Sequence, residues 1–137
     1  MLRTVTAVVL AISVLGAWSQ APGAQDRCTK TEVARVVRVI DGDTFEAEVV
    51  LVWLQTTMVV RERFRVLGVD AWEIGDGERG KAAKEFTERW LAGAAGRLFV
   101  QACNRDNFGR VLAVVFHAGT GERLDEALIA AGHGVRR

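Results

Sequence analysis

The chain has 137 residues, half of them hydrophobic, which is one domain's worth of sequence with enough apolar side chains for a sizeable core and excludes an intrinsically disordered chain. Arg3 is the only charged residue before Asp26, so beyond the first 25 residues the remaining 17 basic side chains face 17 acidic ones. That balance excludes a global positive field, and any anion has to be met by a local patch.

Residues 1–24 read as a secretory signal peptide. Met1-Leu2-Arg3 supplies a positive start, Val5 to Leu15 an uncharged apolar run, and Ala17 to Ala24 small residues with candidate cuts after Ser19, Gly23 and Ala24. The apolar run is shorter than the ~20 residues that span a bilayer. The expected product is a secreted or periplasmic domain over residues 25–137, without stable membrane association once the leader is removed. Export places Cys28 and Cys103 in an oxidising compartment, where two cysteines in a small domain are expected to pair. No C-x-x-C motif is present, and neither His117 nor His133 lies at ligand spacing from a cysteine.

Residues 31–40, 44–54 and 58–67 are rich in Val, Phe, Trp and Leu. Turn residues stand at the first junction and Gln55-Thr56-Thr57 at the second, so three antiparallel strands follow. Arg61, Arg63 and Arg65 alternate along the third, which reads as a solvated face. From Glu78 to about Ala92 the period changes. Ala82, Ala83, Phe86, Trp90 and Leu91 form one stripe of an amphipathic helix. Residues 97–103 and 110–116 return to strand composition around the polar loop 104–109. A second helical stripe, Leu124, Ala127, Leu128 and Ala131, is closed by Gly132. Trp53 reads as core or rim packing, and His117 and His133 as surface residues. Five short strands with two helices make a mixed β/α chain. They point to a small closed sheet of the oligonucleotide-binding (OB-fold) barrel design.

The chemistry gathers at strand ends. Val36, Val37, Val39 and Ile40 run into Asp41-Gly42-Asp43, where residues two apart project to one side of extended backbone and Gly42 leaves room for the chain to bend. Two carboxylates that close repel unless a positive group lies beside them, and a hard cation with oxygen ligands is the natural neutraliser. A second apolar run, Val66 to Val69, ends in Asp70 and Glu73, with Arg65 on the strand between the two acid pairs. Arg110 follows the turn Asp106-Asn107-Phe108-Gly109.

These pieces, with the helix around Ala82 to Trp90 and Leu124 to Gly132, resemble in order and spacing the staphylococcal nuclease (thermonuclease) family over about residues 33 to 135. The resemblance implies that Asp43 and Asp70 are direct carboxylate ligands of Ca2+, with the Ala71 carbonyl a third ligand and Asp41 acting through water. It implies that Glu73 orients or deprotonates the attacking water, and that Arg65 and Arg110 grip the scissile phosphate. The physical chemistry agrees. Phosphodiester hydrolysis needs guanidinium forks on a pentacoordinate phosphorus and a divalent cation that binds a phosphate oxygen and a water. Trp72 departs from the pattern, standing where the family usually has proline, and Phe108 stands for the usual tyrosine, which keeps a stacking surface but loses a hydroxyl.

The expected function is a calcium-dependent nuclease, expected to be a monomer, that hydrolyses single-stranded or locally melted DNA and RNA and leaves 3′-phosphate ends. The alternative expectation is an inactive OB-fold module that binds nucleic acid or another partner.

Overall fold

The alternation written into the first three strands is realised in the computed structural model, which describes residues 28–93 and 97–137; the leader expected over residues 1–24 lies outside them. Strands β1 (Thr29–Asp41), β2 (Thr44–Trp53) and β3 (Thr56–Val66) form an antiparallel meander. A short strand β4 (Val69–Ala71) and one 3-10 turn (Ile74–Asp76) lead into helix α1 (Glu78–Ala92). Strands β5 (Leu98–Arg105) and β6 (Val111–His117) follow, then helix α2 (Leu124–Ala130) and strand β7 (Gly134–Arg136).

β6 lies antiparallel to β5 and parallel to β3, while β5 returns to β1, so the five long strands are hydrogen-bonded in a closed ring in the order β1-β2-β3-β6-β5. Three register shifts between β1 and β2, at Val33/Arg35, Val36/Arg38 and Val39/Asp41, supply the local bend that a closing sheet needs. Phe45, Ala47 and Val49 from β2 point inward beside Phe64, Val66, Val100, Ala113 and Val115. Phe45 stacks on Phe64 with ring centroids 5.5 Å apart. Burying a side chain of this kind contributes roughly 1.5–3 kcal/mol. The helices add Trp90, Leu91, Leu124 and Leu128 to the same core.

Gly132 closes α2 as its position foretells. Its φ is +75°, and the next amide, His133 N–H, donates to the Leu128 carbonyl at 2.9 Å. The Cys28–Cys103 disulfide is formed beside the Thr29–Ala102 pair of β1 and β5, linking residues 75 apart in sequence. Reduction is expected to lower stability by about 2–4 kcal/mol, read as a shifted urea midpoint; an unchanged midpoint would remove the bridge from the account of stability.

Four expectations change. The β2–β3 turn is made by Leu54 and Gln55, both at positive φ, with Thr56 and Thr57 already on β3. Trp53 is not packed: it is 67% exposed near the tip of that hairpin. His117 lies flat on Trp90, ring centroids 3.8 Å apart, and His133 leans on Phe86 at 4.9 Å, so both imidazoles are half-buried packing residues. The pairing of β4 with β7 had no counterpart in the sequence pattern, since three-residue strands are too short for a period to register.

Candidate active site

The turn Asp41-Gly42-Asp43-Thr44 is pressed against α1 and β4. A Cβ at Gly42 would sit 2.8 Å from Ala71 Cβ and 3.0 Å from Ala83 Cβ. The glycine therefore serves close approach, at a φ that any residue could adopt. Thr87, fully buried on α1, donates its hydroxyl to the Gly42 carbonyl at 2.5 Å and locks the helix to the turn. Asp43 is 7% exposed and well supplied with donors. The Thr44 hydroxyl donates to Oδ1 at 3.0 Å and the Ala71 N–H to Oδ2 at 2.8 Å. Asp41 accepts instead from the Ile74 N–H at 3.4 Å, so the two carboxylates reach different points of the 70–74 segment.

Arg65 breaks the pattern of its row. Arg61 and Arg63 are exposed as expected, but Arg65 is buried where the β3–β4 segment folds over it. Its Nη1 donates to the Val66 carbonyl at 2.6 Å and the Val69 carbonyl at 2.8 Å, and its Nη2 donates to Asp70 Oδ1 and lies 3.3 Å from Asp43 Oδ2. One guanidinium thus sits between the two acids to which the resemblance assigns a metal. Arg137 adds a second cation, with Nη1 3.1 Å from Asp70 Oδ1. Asp43 and Asp70 thus have their charge met by guanidinium groups in this structure, and their oxygens, with the Ala71 carbonyl that the resemblance adds, are of the type that would suit a hard cation such as calcium. Among the described residues no three Asp, Glu, His or Cys side chains cluster closely enough to cage an ion alone. Water or a phosphate oxygen would have to complete such a shell.

Glu73 is exposed, and its backbone is held from two sides. Its N–H donates to Asp76 Oδ2 at 2.8 Å, while its carbonyl lies so close to α1 that a Cβ at Gly80 would come within 1.6 Å of the oxygen. The preceding Trp72 does what a proline there could not. Its N–H donates to the His133 carbonyl at 3.0 Å, its indole N–H donates to the Gly132 carbonyl at 3.0 Å, and the Arg79 guanidinium lies 4.2 Å over its ring. The turn that carries Glu73 is therefore fixed by hydrogen bonds to the α2–β7 segment in place of a fixed φ.

Arg110, half-buried at the entrance to β6, donates from Nε to Asp106 Oδ2 at 2.7 Å, and its backbone N–H donates to Oδ1 at 3.0 Å. Burial pushes the Asp106 carboxyl up. The Arg110 side chain, the Arg110 and Phe108 N–H groups and the Arg110 charge outweigh that and hold it below the usual carboxylate range. Asp106 is thus a fixed anion that orients Arg110. The terminal nitrogens of Arg110 donate to no group among the described residues, and its guanidinium carbon lies 5.4 Å from the Phe108 ring centre. Phe108 is 83% exposed. A cleft of about 380 Å³ is lined by Arg65, Gly68, Asp106, Phe108, Arg110 and Arg137 among others.

No family model and no curated protein matches this chain. The site therefore rests on its own residues. Arg65, Arg110 and Phe108, chosen from the sequence, meet in one cleft, and Asp43 and Asp70 meet at Arg65. Sequence reasoning missed Thr87, Gly80 and Arg137. Thr87 lies between the stripe residues Ala83 and Trp90 and could have been found as a polar residue on an apolar helical face. Gly80 and Arg137 carry no local signal, because what they touch comes from distant segments.

Proposed function

We propose that this domain is a calcium-dependent phosphodiesterase of the staphylococcal nuclease type, built on an OB-fold barrel and hydrolysing single-stranded or locally melted DNA and RNA. The observation that carries the reading is the cleft in which Arg65 and Arg110 stand beside the exposed ring of Phe108, with Asp43 and Asp70 drawn together at Arg65. A strand entering it finds a phosphate-binding fork in the unpaired nitrogens of Arg110 and a platform for a base in Phe108. Glu73, exposed and on a fixed backbone, would take the proton of an attacking water. Asp43 and Asp70, with the Ala71 carbonyl and with Asp41 at one remove, would hold calcium, which when bound supplies the charge that polarises phosphate and water.

One observation favours the alternative of a silent binding module. The Nη donors of Arg65 are engaged by two carbonyls and two carboxylates, and in that state they offer a phosphate little. The test separates the two. Protein from residue 25 onward is expected to degrade single-stranded DNA and RNA in calcium, to stop on chelation and to leave 3′-phosphate ends. Calcium is expected to raise its melting temperature, by the equivalent of ~2.7 kcal/mol at a hundredfold excess over Kd, and Asp43→Asn should remove most of that shift. Glu73→Gln should cut turnover and spare oligonucleotide binding. Wild-type protein that binds oligonucleotides in calcium, yet cleaves no faster than Glu73→Gln, would replace the nuclease with the module.

A further inference from the structure

The β2–β3 hairpin is unlike the rest of the surface. From Val49 to Val60 the chain carries no charged residue. The ladder with β1 ends at the Val33–Val49 pair, and the Thr31 hydroxyl on the Val50 carbonyl is the last hydrogen bond from β1. Beyond it the ribbon runs from Val50–Val59 to Trp53–Thr56 with, among the described residues, only its own two strands paired, a projection of roughly 13 Å at ~3.3 Å per residue. Val52, Trp53 and Leu54 are 72%, 67% and 82% exposed, and Met58 and Val59 are exposed beside them. Open ribbon edges are ordinarily blunted with charge or proline, and here neither is present. The apex is unusual as well. Leu54 and Gln55 have φ of 46° and 66°, values that hairpin turns usually give to Gly, Asn or Asp. A leucine held at that φ is strained, and the strain places an apolar side chain at the outermost point.

We infer that this hairpin is a peripheral docking element for an anionic phospholipid surface. The apolar feature is convex, a knob that enters a soft medium more readily than it covers a flat protein face. Its Trp and Leu are the residues that interfacial anchors use. Beneath the tip, Arg35 and Arg61 flank Glu48, and Arg38 and Arg63 flank Glu46, so four guanidinium groups surround two carboxylates and leave the base of the knob positive. A positive collar behind an apolar tip complements anionic headgroups over acyl chains. A second copy fits less well, because five side chains fall short of the roughly 800 Å² per partner that a stable dimer buries. The ten residues of β2 from Thr44 to Trp53 also set the knob about 30 Å from the Asp43 turn, so a docked domain keeps that turn clear of the bilayer. Docking of this kind is reversible and does not depend on the nuclease reading.

The test is flotation of the disulfide-bonded protein from residue 25 onward with phosphatidylcholine vesicles, with and without phosphatidylglycerol. Binding is expected to the anionic vesicles, several-fold weaker to the neutral ones, and weaker with added salt. Trp53 fluorescence should shift to the blue on binding, since Trp72 is already bonded within the fold and Trp90 is buried. The double variant Trp53→Ser, Leu54→Asn should lose at least tenfold in vesicle affinity with a melting temperature no lower than the parent's, both positions being exposed and Asn tolerating the positive φ at position 54. Three results would each overturn the inference: no flotation with anionic vesicles, equal flotation of the double variant, or a stable wild-type dimer that the double variant dissolves. The last would make a second copy the occupant.

Discussion

Arg65→Met is expected to destabilise the domain by about 3–5 kcal/mol, the range for removing one partner of a buried charge pair and leaving the other uncompensated. Methionine keeps the length and the apolar stem, so the loss isolates the guanidinium. Without it Asp43, almost fully buried, loses its nearest cation, Asp70 keeps only Arg137, and the Val66 and Val69 carbonyls lose a donor each. Arg65→Lys should fall between, because an ammonium preserves the charge but cannot reach two carbonyls and two carboxylates in one plane. Urea unfolding followed by circular dichroism reads both. A loss under about 1 kcal/mol for the methionine variant would mean that solvent reaches Asp43 far better than its burial indicates.

Arg110→Ala is expected to lower turnover by roughly 10²–10³, the usual effect of removing one preorganised donor from a developing anion. The fold should survive. Asp106 keeps the N–H groups of Phe108 and Arg110, which alanine also provides. Binding of a short oligonucleotide should change little, since Phe108 still offers its ring and stacking carries much of such affinity. A variant that cleaves as fast as the parent would take Arg110 out of the chemistry. One that no longer binds would make it a docking residue. The contrast between the two arginines is itself informative, since Arg65 is expected to act first on stability and Arg110 on rate.

The strands and helices were legible because each carries a long enough period. β2 shows its inward set at Phe45, Ala47 and Val49, and α1 shows Ala83, Trp90 and Leu91 at helical spacing, with bounds that match the expected ones. Histidines 117 and 133 were misplaced because their partners, Trp90 and Phe86, lie on another element. Trp53 was misplaced for the opposite reason. Its composition is that of a core strand, and only the end of the β1 ladder at Val49 shows that none of the described residues covers it.

The site divides in the same way. Sequence by itself determined which residue types stand at the strand ends: Asp41 and Asp43 after one apolar run, Asp70 and Glu73 after another, and Arg110 after a polar turn. That much is local, since an acid interrupting an apolar alternation is visible within a few residues. The tertiary structure decided what each of them faces. It turned Arg65 from a solvated row into the counter-charge of Asp43 and Asp70, because the β3–β4 segment folds across it. It gave Trp72 the task of holding the Glu73 turn, through carbonyls about sixty residues away. Coulomb forces and hydrogen bonds act over a few ångströms of space whatever the separation along the chain, so the partners of a charge become readable only once the ring of strands has closed.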